Sequence, residues 1–210
     1  MVHPGVFRQI VRQRGVTLIE VVVSVLIIVL LLAIASPSFE EYQRNKRLAT
    51  LAGDFTASVQ LARAEASKRQ KIISMCPTET VTAHSPKCAD GSNFAAWIVF
   101  EDGDGDCLPI AGEVPIQAVS AIRAEEATRV SLRGNGSCIS FATTGAVRTV
   151  QDVHNADRLL VCDVRGIGVP ESTDPSVARG IALDPQGRVT QTRQRQTLLG
   201  WRLPCSPWSH

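Results

Sequence analysis

Residues 16–35 form an apolar run broken only by Thr17, Glu20 and Ser24. About 20 such residues suffice to cross a bilayer as a helix, so the first element of this chain is expected outside water. Arg8, Arg12 and Arg14 precede the run with no acid among them. Basic flanks stay cytoplasmic, which sends everything after the run to the far side of the membrane. Glu20 does not suit an ordinary anchor. An acid near the centre of a membrane helix costs about 3 kcal/mol, less near the interface, so something should compensate it.

Cleavage after Gly15 would supply the compensation. The new amino terminus on Val16 is then a cation one helical turn from Glu20, since positions i and i+4 share a face. In a filament the same carboxylate could neutralise the amine of a neighbouring subunit and set the axial stagger. The string Arg14-Gly15-Val16-Thr17-Leu18-Ile19-Glu20 resembles the type IV pilin signature. That resemblance implies cutting by a prepilin peptidase after Gly15, N-methylation of Val16, an assembly role for Glu20, and a helix-kinking proline at Pro37. The alternative is a conventional signal peptide cut after Ala33-Ile34-Ala35, which would release a soluble periplasmic protein. The length of the run, its internal acid and the glycine junction speak against it.

Net charge is +2, and losing three of the 22 basic residues with the leader leaves 19 against 20 acidic ones. A neutral mature chain gives no global argument for nucleic acid, so any basic site must be local. The six cysteines, Cys76, Cys88, Cys107, Cys138, Cys162 and Cys205, all follow the apolar run. An even number in an exported domain reads as disulfides. Their wide spacing lacks the C-x-x-C of zinc or thioredoxin-like sites, and it leaves all fifteen pairings open.

After Pro37, which can bend the helix by removing one backbone donor, the residues Leu48, Leu51, Phe55, Val59, Ala62 and Ala66 recur at helical spacing. Arg44, Lys46, Asp54, Gln60, Arg63 and Lys68 occupy the other face. Beyond Lys71 short apolar segments alternate with Gly, Pro, Asp and Asn, predicting strands at 72–76, 95–100, 129–132, 138–142, 159–164, 181–183 and 189–193. The expectation is an α+β protein: leader 1–15, membrane or filament-core helix 16–38, amphipathic helix 39–71, and a disulfide-containing head 72–210 whose antiparallel sheet wraps the helix.

Three stretches sharpen the family likeness: Leu61-Ala62-Arg63-Ala64-Glu65-Ala66 leading to Cys76-Pro77, then Trp97-Ile98-Val99-Phe100-Glu101-Asp102, and Asp184-Pro185-Gln186-Gly187-Arg188-Val189. They resemble the GspH/FimT family of minor pseudopilins and minor pilins. The resemblance implies a non-enzymatic filament subunit, anchored in the inner membrane by a single pass with its head in the periplasm. Its implied partners are other pilin-like subunits, the inner-membrane assembly platform, the prepilin peptidase and membrane lipid. It also implies Cys76 with Cys88 as the first disulfide, with which Cys107–Cys138 and Cys162–Cys205 are taken as the other two.

Two further segments bear on binding. Asp102, Asp104 and Asp106 alternate with glycines as calcium ligands do, though the late glutamate of an EF-hand is missing and hairpin turns use the same residues. No other cofactor is suggested. From Pro185 onward there is no acid, while Arg188, Arg193, Arg195 and Arg202 are interleaved with Trp201 and Trp208. Cations and stacking aromatics suit DNA, and some FimT-like pilins bind DNA through arginines after a similar Gly-Arg. A solvated strand face accounts for such arginines equally well. The scattered histidines His3, His84, His154 and His210, with no nucleophile elbow or phosphate loop, offer nothing for catalysis.

Overall fold

The computed structural model describes residues 15–79, 81, 87–110, 113, 115–122, 130–167 and 175–205, with backbone alone at 32–38. Two compact units divide the chain, Met1–Gln43 and Arg44–His210. The helix α1, Leu18–Arg69, is continuous in the backbone. It runs through Pro37, whose side chain lies outside the described residues. In the first unit every described side chain from 15 to 31 is exposed.

The second unit is the head. Its part of α1 buries Leu48, Leu51, Ala52, Phe55, Val59, Ala62 and Ala66, the stripe expected from helical spacing plus Ala52. Arg63, assigned to the wet face, is half-buried, and its Nε donates to the Gly145 carbonyl at 3.2 Å. Gln70, left-handed at φ 54°, ends the helix and returns its side-chain amide to Ser67 O at 2.7 Å. Arg69 and Lys68 hydrogen-bond Glu65 and hold its carboxyl below the usual carboxylate range.

Among the described residues nine strands follow: β1 Ile73–Pro77, β2 Ala96–Glu101, β3 Pro115–Ser120, β4 Val130–Gly134, β5 Ile139–Phe141, β6 Val147–Arg148, β7 Arg158–Asp163, β8 Arg179–Leu183 and β9 Val189–Thr192, then a short helix α2, Arg195–Gly200. They form two antiparallel sheets rather than one, β3-β2-β1-β5-β6 and β4-β7-β8-β9. Arg129, the expected start of β4, lies outside the described residues. The strands β3 and β6 and the helix α2 were not expected from the sequence.

Both sheets face α1. Ile73, Met75, Trp97, Val99, Ile139 and Phe141 from one, and Leu132, Leu159, Val161 and Ile181 from the other, join the helix stripe in one core. Phe55 sits at its centre, edge-on to Phe94 at 5.4 Å and to Trp97 at 5.1 Å. Such aromatic pairs add about 0.5–1.5 kcal/mol beyond their burial. The outer faces are covered as well. Cys76, Ile98 and Phe100 pack with Cys88, while Leu160, Cys162 and Ala178 pack under Leu198 of α2, with Trp201 and Cys205 alongside.

Gly145 and Gly187 close the gap between the sheets. Both have positive φ, 78° and 76°, which glycine adopts without the penalty a side chain brings. A Cβ on Gly187 would lie 2.6 Å from Gly145 O and 3.1 Å from Phe141. The neighbouring Pro185 carbonyl accepts from Val147 N at 3.0 Å, linking the β8–β9 turn to β6. Gly187→Ala should therefore cost about 2–4 kcal/mol, from backbone strain and forced separation of the turns. Denaturant unfolding of the purified protein measures it, and a cost under about 0.5 kcal/mol contradicts this packing.

Candidate functional site

Gly15 and Val16, ahead of α1, are both exposed and outside the helix. Thr17 then caps α1: Glu20 N donates to Thr17 Oγ1 at 3.3 Å, and Thr17 N to Glu20 Oε2 at a long 3.5 Å. This is the reciprocal capping box, which satisfies two of the backbone donors that a helix start leaves open. In the sequence Thr17 stands as a polar interruption of the apolar run, and Thr-x-x-Glu before such a run is the capping-box signal that marks its role. Among the described residues no cation pairs with Glu20. The expected span 16–38 extends onto side chains outside the described residues, and among those described no helix is long and apolar enough to cross a membrane.

The acidic loop follows β2. One oxygen each of Asp102, Asp104 and Asp106 can be chosen within 4.8 Å of one another, close enough to share an ion. Yet Asp102 is buried and already committed. Its Oδ2 accepts from Ser74 Oγ at 2.5 Å and Cys107 N at 3.0 Å, and its Oδ1 from Gly105 N at 2.7 Å. Arg148 Nη1 also donates to Gly105 O at 2.6 Å, bringing a cation to the loop. Burial pushes the Asp102 carboxyl up from its ordinary value, against the hydrogen bonds from Ser74, Cys107 and Gly105. The geometry makes Asp102 the organiser of the turn that carries Cys107.

Three disulfides join Cys76–Cys88, Cys107–Cys138 and Cys162–Cys205. Two of them, Cys76–Cys88 and Cys162–Cys205, tie a loop or the C-terminal tail onto an outer sheet face.

The four C-terminal arginines are spread over the two ends of β9 and the two ends of α2. Arg188 ion-pairs with Asp184, Nε to Oδ2 at 2.6 Å, and its backbone N donates to Oδ1 at 2.8 Å. Four residues of β9 separate it from Arg193, whose Nε donates to Ser176 O at 2.8 Å. Arg195 opens α2, and Arg202 takes a left-handed φ of 53° beyond it. Trp201 packs over Gly180, where a Cβ would meet its ring at 2.5 Å. That ring is half-buried against the Leu160, Ala178 and Leu198 cluster, while Trp208 lies outside the described residues. The backbone hydrogen bond from Arg188 chiefly holds the Asp184 carboxyl below its ordinary value, with the Arg188 guanidinium adding to it.

The family described as type II transport protein GspH matches residues 51–187, and the prokaryotic N-terminal methylation motif matches residues 10–36. The chain belongs to the GspH family. It is a minor pilin or pseudopilin, with its methylation motif at the expected junction. The GspH match takes in the buried stripe of α1 from Leu51 onward and strands β1 to β8, and ends at Gly187, before β9. Arg193, Arg195, Arg202 and Cys205 lie beyond it. Two crystal structures of the Pseudomonas aeruginosa (strain PAO1) type IV minor pilin FimU are similar to this chain. One is 17% identical with a TM-score of 0.48, covering 79% of this chain and 98% of that one. The other is 15% identical with a TM-score of 0.45, covering 76% and 99%. No curated protein sequence matches significantly.

Asp102→Ala in this GspH-family head should cost about 2–4 kcal/mol, because Ser74, Gly105 and Cys107 lose their acceptor together. Asp184 supports a pH prediction. Its folded value is depressed, so its contribution is complete above the unfolded value and is lost as pH falls through the folded one. Asp184→Asn should thus show a shallower loss of melting temperature on acidification below about pH 4. A slope equal to that of the parent chain contradicts the assignment.

Proposed function

We propose that this subunit is stored in the inner membrane by its 16–38 helix, with the head in the periplasm, and passes into a filament where Glu20 meets an amino terminus. The observation that carries this reading is an acid in the first turn of a helix whose described side chains 18–31 are all exposed. Each exposed apolar side chain gains on the order of 1.5–3 kcal/mol when removed from water. So much apolar surface on one helix needs lipid or neighbouring helices around it, and both surroundings are poor solvents for a lone carboxylate.

After a cut behind Gly15, Val16 begins the chain and its ammonium lies within one turn of Glu20. Thr17 remains to cap the helix, so the carboxylate is oriented by the capping box before a partner amine arrives. The partners this chemistry requires are a peptidase that cuts after glycine, a membrane platform that extracts the helix, and neighbouring pilin-like subunits. Support comes from the methylation motif over residues 10–36 and from membership of a transport family.

Mass spectrometry of the mature protein should find an N-methylated Val16 at the terminus. Glu20→Gln should leave that cut intact while the filament-associated fraction falls at least about tenfold, the effect of losing about 1.4 kcal/mol of charge pairing. A mature chain beginning at Ser36, or normal incorporation of Glu20→Gln, sinks the reading.

A further inference from the structure

The β8–β9 ribbon ends in two facing arginines. Register pairs Gly180 with Thr192, so the next residue outward on each strand, Arg179 and Arg193, stand opposite one another. Strand alternation puts them on the face of Ile181 and Gln191. That face is toward α1: Ile181 is in the common core, and Gln191 Nε2 donates to Thr56 Oγ1 at 2.9 Å. Like charges directly opposite destabilise a sheet unless something intervenes.

Both arginines are half-buried. Arg193 is clamped by Ser176, whose carbonyl accepts from its Nε at 2.8 Å and whose backbone N donates to Arg193 O at 2.8 Å. The Nε of Arg179 is buried with no hydrogen-bond partner. Burial, then the Arg193 charge, lower the Arg179 pKa from its ordinary value, yet a guanidinium stays protonated in proteins. Among the described residues no carboxylate pairs with either side chain. The fold therefore holds two fixed cations together and leaves a buried donor unused.

A planar, bidentate anion answers both deficits. Phosphates of a nucleic acid would need a line of cations. The other arginine on this ribbon, Arg188, is already bound to Asp184 at the far end of β9, which leaves one compact site. β9 is also an edge strand, so its flank has no strand beyond it. We propose that Arg179 and Arg193 form an anion site that receives an acidic side chain of a neighbouring pilin-like subunit. This rests on the filament reading given above.

The test uses the full chain in cells that assemble the filament, with Arg179→Gln, Arg193→Gln and Glu20→Gln compared for filament-associated fraction. Each arginine variant should fall about tenfold, the effect of one charged hydrogen-bonded contact, with the cut before Val16 unchanged. Melting temperature should hold or rise in Arg179→Gln, where an uncompensated charge has been removed, and in Arg193→Gln should fall by no more than the loss of one hydrogen bond to Ser176. An oligoglutamate peptide, used as a probe at low salt, should bind the purified wild-type protein and lose about tenfold in affinity in either variant. A single-stranded oligodeoxynucleotide of equal charge should show no such loss. Arginine variants that incorporate normally beside a defective Glu20→Gln overturn this site alone. Normal incorporation of Glu20→Gln as well overturns the filament reading and the site with it. Loss of oligonucleotide binding with incorporation unchanged assigns the arginines to phosphates, and a lowered melting temperature in both assigns them to folding; each overturns the proposal.

Discussion

The head depends on one stripe of α1. Leu48, Leu51, Phe55, Val59, Ala62 and Ala66 are the surface on which both sheets pack, and Phe55 meets Phe94 and Trp97 at its middle. Without the helix neither sheet has its inner face covered, and antiparallel sheets of four or five strands need such a face for stability. The small residues Ala52, Ala62 and Ala66 are completely buried, so this stripe also gives room for close approach of strand side chains.

A second layer of construction lies on the outer faces. Antiparallel sheets often leave one face to water, but here β1 is buried along its whole length. Cover comes from segments with little regular structure, and disulfides hold two of them: Cys88 over Ile98 and Phe100, and Cys205 with α2 over Leu160. Crosslinks suit such segments because they restrict the unfolded chain where few backbone hydrogen bonds would restrain the folded one. Asp102 does similar work by hydrogen bonding, drawing two backbone donors of its loop and the Ser74 hydroxyl of β1 onto a single carboxylate.

Legibility differed by element. The stripe of α1 was readable because helical spacing alone decides which residues share a face. The strands β1, β2, β5, β7 and β8 were readable as short apolar runs. Less so were β3, which is half-buried to exposed, and β6, two residues long. Neither carries the run of buried residues that makes β4, also an edge strand, readable. The helix α2 has no side-chain cap and exists because Leu198 has Gly180 to settle on. The four C-terminal arginines looked alike in sequence, yet Asp184 claims Arg188 and Ser176 holds Arg193, while Arg179, on another strand, was not singled out.

From its residues alone this chain declared an apolar run with one acid, a glycine junction before it, an amphipathic helix after it, and six cysteines on the exported side. Those are local quantities, set by hydropathy and by periodicity along the backbone. Tertiary structure decided that the strands divide into two sheets, which cysteines meet, and which arginines become neighbours. Such matters depend on register between strands far apart in sequence, and a shift of one residue would turn Arg179 away from Arg193 to the opposite face.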